Sequence, residues 1–152
     1  MTYEIYIKGC AERNGLAATC AMAVKVNAEY LQKSAIRFEK YIGKSNEYPI
    51  IKNKAQYQME LYALAWALSS VQDATASFKV YSNNLPVVTW INQWDVPEDY
   101  EDIFKACDIL LHYREISAEH IRKDADNETN RLVNKAAEYI LGITESKKPY
   151  VF

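Results

Sequence analysis

The residues able to do chemistry are few, and their spacing excludes several classes of site at once. Cys10, Cys20 and Cys107 form no C-x-x-C pair and no Cys/His spacing suited to zinc, so a metal knuckle is excluded and reduced thiols in a cytosol fit the pattern. His112 and His120 fall in regular-element patterns with no neighbouring nucleophile, and surface or satisfied core histidines account for them. Glu60 stands out as the one charged residue in an otherwise apolar and amide-bearing run from 55 to 72. Asp124 and Asp126 lie in R-K-D-A-D-N-E ahead of the last helical pattern, where carboxylates favour the positive end of a helix.

Charge is clustered in two places. Lys33, Arg37, Lys40, Lys44, Lys52 and Lys54 stand against Glu39 and Glu47 between residues 31 and 54, interleaved with or next to Tyr30, Tyr41, Tyr48 and Tyr57. Cations for phosphates and aromatic faces for bases are what a groove tracking a nucleic-acid backbone uses. Asp95, Glu98, Asp99, Glu101, Asp102 and Asp108 stand against Lys105 alone, and that segment would repel a duplex.

The elements that must position these groups follow from hydrophobic period and turn chemistry. Tyr3 to Lys8 reads as a strand ending near Gly9, Ala17 to Val26 as a second, with E-R-N-G at 12 to 15 as the hairpin turn, and Ile36 to Ile42 as a third. The run 55 to 72 predicts a helix that is apolar nearly all round and so must be covered on more than one side. Ser77 to Ser82 predicts a fourth strand. Pro86, Val87, Val88, Ile91 and Trp94 follow on the spacing of a short helix. Asp95 to Arg114 reads as one further helix, Ile116 to Ile121 as a fifth strand, and Glu128 to Leu141 as a last helix capped by Gly142. Three strands, then crossovers through helices, give a mixed five-stranded sheet.

A chain of 152 residues with 49% apolar and 25% charged side chains has the size of one domain and buries roughly 70% of the surface of its unfolded form, so no disulfide or structural metal is required. The expected layout is a single domain over 1–143 and a tail over 144–152. The net charge of -2 excludes a polycation that coats nucleic acid. The absence of a leader-like apolar segment or a membrane-length run points to a cytoplasmic protein.

The order of these elements, together with four local strings, resembles the ribonuclease H family over nearly the whole chain. The strings are Tyr6-Ile7-Lys8-Gly9-Cys10 at the end of the first strand, Gln56-Tyr57-Gln58-Met59-Glu60-Leu61 opening the first helix, Ser82-Asn83-Asn84 ending the fourth strand, and Asn130 to Ala137 in the last helix. The resemblance implies an α/β ribonuclease H-like fold with helices on both faces. It also implies hydrolysis of RNA in RNA–DNA hybrids by four carboxylates holding two Mg²⁺, hard ions that take oxygen ligands and stabilise attacking and leaving oxygens.

Carried over by position, Lys8 replaces the first Asp, Glu60 survives, and Asn83 and Asn134 replace the second and last Asp. Four formal negative charges become a net of zero. An amide keeps the shape of a carboxylate but not its charge. The resemblance further places Asp124 where the family has a loop His, implies a pair between Lys8 and Glu60 as a fixed cation in place of the ion, and sets Lys33, Arg37, Lys40, Lys52, Lys54, Gln56 and Tyr57 beside the substrate.

The expected function is a ribonuclease H-like protein deficient in hybrid hydrolysis, needing no cofactor and acting as a weak nucleic-acid-binding or scaffolding module. Two readings remain open. One is an active Mg²⁺- or Mn²⁺-dependent ribonuclease that rebuilds its site from Glu60 with Asp124 or Asp126. The other is a protein-interaction subunit using the aromatic C-terminus Lys148-Pro149-Tyr150-Val151-Phe152.

Overall fold

The computed structural model describes residues 1–11, 17–39, 54–122, 124 and 127–142. The 12–15 turn, the 40–53 connection with Lys40, Lys44, Lys52, Tyr41 and Tyr48, and Asp126 lie outside these residues, as does the aromatic tail. In chain order the elements are β1 (Thr2–Ala11), β2 (Ala17–Val26), β3 (Glu29–Glu39), α1 (Ala55–Ser69), β4 (Ser77–Ser82), α2 (Leu85–Gln93), α3 (Glu101–Leu111), β5 (Glu115–His120) and α4 (Glu128–Gly142).

The strands form one sheet in the order β3-β2-β1-β4-β5. β1, β2 and β3 pair antiparallel, while β4 pairs parallel with both β1 and β5. This is the expected mixed α/β sheet, with the parallel pairs bridged by helical crossovers.

Alternation along β1 decides which helix each side chain meets. Ile5 and Ile7, with Val24 and Met22 opposite them on β2, join Val80 and Phe78 of β4 in the main core under α1. Tyr6, with Ala23 opposite, packs on the other face with Leu132 and Val133 of α4. Further along that face Ala21 meets Ala136, with Cys10 and Ala35 beside them.

α1 is buried nearly all round because the sheet covers one side and α3 another. Leu61, Leu64 and Leu68 are in the core with Ile103 and Cys107, and the Cys107 thiol donates to the Leu61 carbonyl at 3.5 Å. Among the described residues no helix is long and apolar enough to cross a membrane.

Several boundaries differ from the sequence reading. β3 begins at Glu29 rather than Ile36, because Asn27 and Ala28 both take positive φ (51° and 66°) in a two-residue hairpin of the kind that matches strand twist. β1 runs past Gly9 to Ala11. The segment from Asp95 is not one helix: Pro97 sits at φ -58°, ψ 153°, a 3-10 turn covers Glu98–Tyr100, and α3 starts only at Glu101. Gly142 is the last residue of α4 rather than the one after it.

Candidate nucleic-acid interface and the surroundings of Glu60

Glu60 is fully buried, the sole charged side chain inside α1. One carboxylate oxygen, Oε1, accepts the Gly9 backbone N–H at 3.2 Å. The other, Oε2, accepts the Ser82 hydroxyl at 3.3 Å. Ser82 Oγ also accepts the Asn84 N–H at 3.0 Å, and the Asn84 side chain in turn accepts the Val87 N–H at 3.4 Å as N-cap of α2. A continuous set of hydrogen bonds therefore joins β1, α1, the end of β4 and the start of α2.

Gly9 permits this closeness. A Cβ there would lie 2.5 Å from the Gln56 carbonyl oxygen, 2.7 Å from the Glu60 nitrogen and 2.8 Å from the Met59 Cβ. Only a residue without a side chain lets β1 approach α1 so closely.

Burial pushes the Glu60 carboxyl up to about 8, since low dielectric disfavours the charged form. The Gly9 N–H, the Lys8 charge and the Ser82 hydroxyl each pull it back down, in that order.

The expected contact pair between Lys8 and Glu60 is absent: among the described residues no salt bridge joins them, and both oxygens of Glu60 are engaged by Gly9 and Ser82. The reason is the pleat. Lys8 lies opposite Ala21, on the sheet face that Tyr6 and Cys10 share with α4, whereas Gly9 faces α1. Lys8 is half-buried and acts on Glu60 only through its charge at longer range. The same alternation explains Ser82: in β4 the buried positions are 78, 80 and 82, so Ser82 rather than Asn83 is aimed at α1. Period-two reading of S-F-K-V-Y-S contained that signal.

Asn83 is half-buried, and its carbonyl oxygen is 3.2 Å from His120 Nε2. Asn134 is exposed on α4, next to Val133 of the small core around Tyr6. Asp124 is 82% exposed at its side chain, with Oδ1 3.7 Å from Arg122 Nε, a solvated contact.

A two-metal centre needs converging anionic oxygens. Among the described residues no group of three or more His, Cys, Asp or Glu side chains converges on a common point, and the positions carried over from the family hold an ammonium, two amides and one carboxyl already engaged inside the protein. This donor set does not fit paired Mg²⁺ or Mn²⁺.

The surface residues expected at a substrate divide into two groups. Lys33 is exposed on β3, its ammonium 4.2 Å from the Tyr30 ring centroid. Arg37 stands opposite Thr19 in the same sheet pairing, and Gln56 is exposed at the start of α1. Lys54, by contrast, pairs with Asp99 at 2.6 Å. Tyr57 is half-buried in an aromatic cluster, 5.5 Å from Trp90 and 5.9 Å from Tyr100 between ring centroids. Lys40 and Lys52 are outside the described residues.

The sequence matches no family model and no curated protein. The fold has close counterparts among solved structures. The N-terminal RNase H domain of Rv2228c from Mycobacterium tuberculosis, solved as a fusion with maltose-binding protein, superposes with a TM-score of 0.67 at 15% identity, over 90% of this chain and 95% of that one. RNase H1 from the halophilic archaeon Halobacterium salinarum NRC-1 gives 0.67 at 15% identity, over 94% and 100%. LC11-RNase H1, solved in complex with an RNA/DNA hybrid, gives 0.55 at 19% identity, over 91% and 99%. The chain therefore has the ribonuclease H-like fold.

Proposed function

We propose that this chain is a ribonuclease H-like nucleic-acid-binding module deficient in metal-dependent hydrolysis of RNA–DNA hybrids. One observation carries the reading. The surviving carboxyl, Glu60, is enclosed in the protein and held by Gly9 and Ser82, while an ammonium and two amides occupy the other positions matched to the family's carboxylates.

Binding is supported by the fold shared with an RNase H1 solved on a hybrid and by the exposed Lys33 of β3, which lies over the half-buried Tyr30 ring. Without divalent ions to bridge phosphates, attachment rests on fixed cations such as Lys33 and Lys8. Each phosphate contact contributes about one unit to the salt slope of binding.

The test is fluorescence anisotropy of a labelled RNA–DNA hybrid across a salt series, in Mg²⁺ and in EDTA. The reading expects salt-sensitive binding of equal strength in both buffers, with a slope lowered by about one unit in Lys33→Ala. Binding that vanishes in EDTA, or no binding at low salt, contradicts it.

A further inference from the structure

Lys54, expected beside a substrate, is held by a carboxylate instead, with its Nζ 2.6 Å from Asp99 Oδ2. The residue is well placed to meet a nucleic-acid backbone. It is the N-cap of α1, two residues ahead of Gln56, whose carbonyl lies against Gly9 of β1. Lys8 is the chain neighbour of that glycine, so Lys8 and Lys54 belong to the same end of the sheet.

The carboxylate that holds Lys54 is itself fixed by packing. Asp99 is the middle residue of the 3-10 turn Glu98–Tyr100. Tyr100, next to it, is buried, with its ring centroid 5.9 Å from that of Tyr57 in α1 and 5.0 Å from that of Trp90 in α2. These three rings clamp the turn against the start of α1 and present Asp99 to Lys54.

Magnitudes decide what such a pair can do. Its two side chains keep 30% and 54% of their exposure, and an ion pair so open to water is worth at most roughly a fivefold equilibrium factor. A backbone phosphate offers the same kind of anionic oxygen and can exchange for the carboxylate, but it must first displace it. Nucleic acid releases about one condensed counterion for each phosphate that a cation neutralises. An ammonium already neutralised by Asp99 contributes no such release.

We propose, on the reading of this chain as a nucleic-acid-binding module, that Asp99 is an autoinhibitory stand-in for phosphate, whose carboxylate holds Lys54 and weakens the grip of the native chain on a hybrid. Removing that carboxylate frees one cation for one phosphate. The acidic segment thus acts on binding through a specific contact at α1, beyond the general repulsion of its charge.

The test is anisotropy of a fluorescein-labelled RNA–DNA hybrid with the full chain across a salt series. Asp99→Asn is compared with Glu98→Gln, which removes the same charge from the neighbouring exposed position, and each is made in the native chain and in Lys54→Ala. Asp99→Asn should tighten binding about threefold to fivefold at low salt and steepen the salt slope by about one unit. Glu98→Gln should change affinity less than twofold. On the Lys54→Ala background, Asp99→Asn should gain no more than Glu98→Gln does. Circular dichroism melts of each variant check that the fold is kept. Equal gains from the two substitutions, or an Asp99→Asn gain that persists without Lys54, overturn the proposal and leave the binding reading standing. No binding by any of these chains at low salt overturns both.

Discussion

At the scale of single residues, Glu60 sets a measurable pH dependence. An ordinary carboxyl titrates near 4.5, and folding raises this one to about 8. The folded state thus disfavours the charged form, and the unfolded chain gives up its proton first. Stability from this group is complete below about pH 4.5 and is lost progressively as pH rises through about 8, a change on the order of a few kcal/mol. Glu60→Gln keeps the shape and accepts the Gly9 N–H without a charge to desolvate. Its melting temperature should exceed that of the native chain at pH 8 and match it near pH 5, as read by circular dichroism melts across that range. Gly9→Ala forces a methyl into the α1 backbone and should cost about 2–4 kcal/mol in urea denaturation, because backbone rather than a flexible side chain must yield. The importance of Glu60 was legible as a lone charge in an apolar helix. Its partners were not, because the resemblance aligned Lys8 and Asn83 while the pleat turns their neighbours, Gly9 and Ser82, toward α1.

At the scale of elements, the strongly patterned segments were legible and the irregular ones were not. α1 announces itself by fifteen residues of helix-forming, apolar and amide side chains, and β2 and β4 match their expected bounds. The early start of β3 was hidden because Ala28 is a poor marker of a positive-φ turn. The split before α3 was marked by Pro97, which removes a backbone donor and disfavours helix at the residue before it, yet the acidic run beyond it read as continuous helix. α2 depends on a cap that ties it to the site. Asn84→Ala should lower stability by about 1 kcal/mol, seen as a shift of the urea midpoint without a change of slope. Asn92 is its second attachment, its side-chain amide pairing with both the N–H and the carbonyl of Ala118 at 2.8 and 3.0 Å. Asn92→Leu removes both bonds from the edge strand and should speed hydrogen exchange at the Ala118 amide.

At the scale of the molecule, the order of elements was legible because hydrophobic period and turn chemistry agree along most of the chain. The near-neutral charge conceals a Lys-bearing sheet edge and an acidic third helix. What chemistry the fold retains depends on the four positions that once-matching strings bring from the family: an ammonium, a buried carboxyl and two amides. The direct test is cleavage of an RNA–DNA hybrid by the native chain in Mg²⁺ and in Mn²⁺, beside the variant carrying Lys8→Asp, Asn83→Asp and Asn134→Asp. The expected result is no metal-dependent product from the native chain and recovered cleavage in the variant. Metal-dependent turnover by the native chain that Glu60→Ala abolishes would contradict the account.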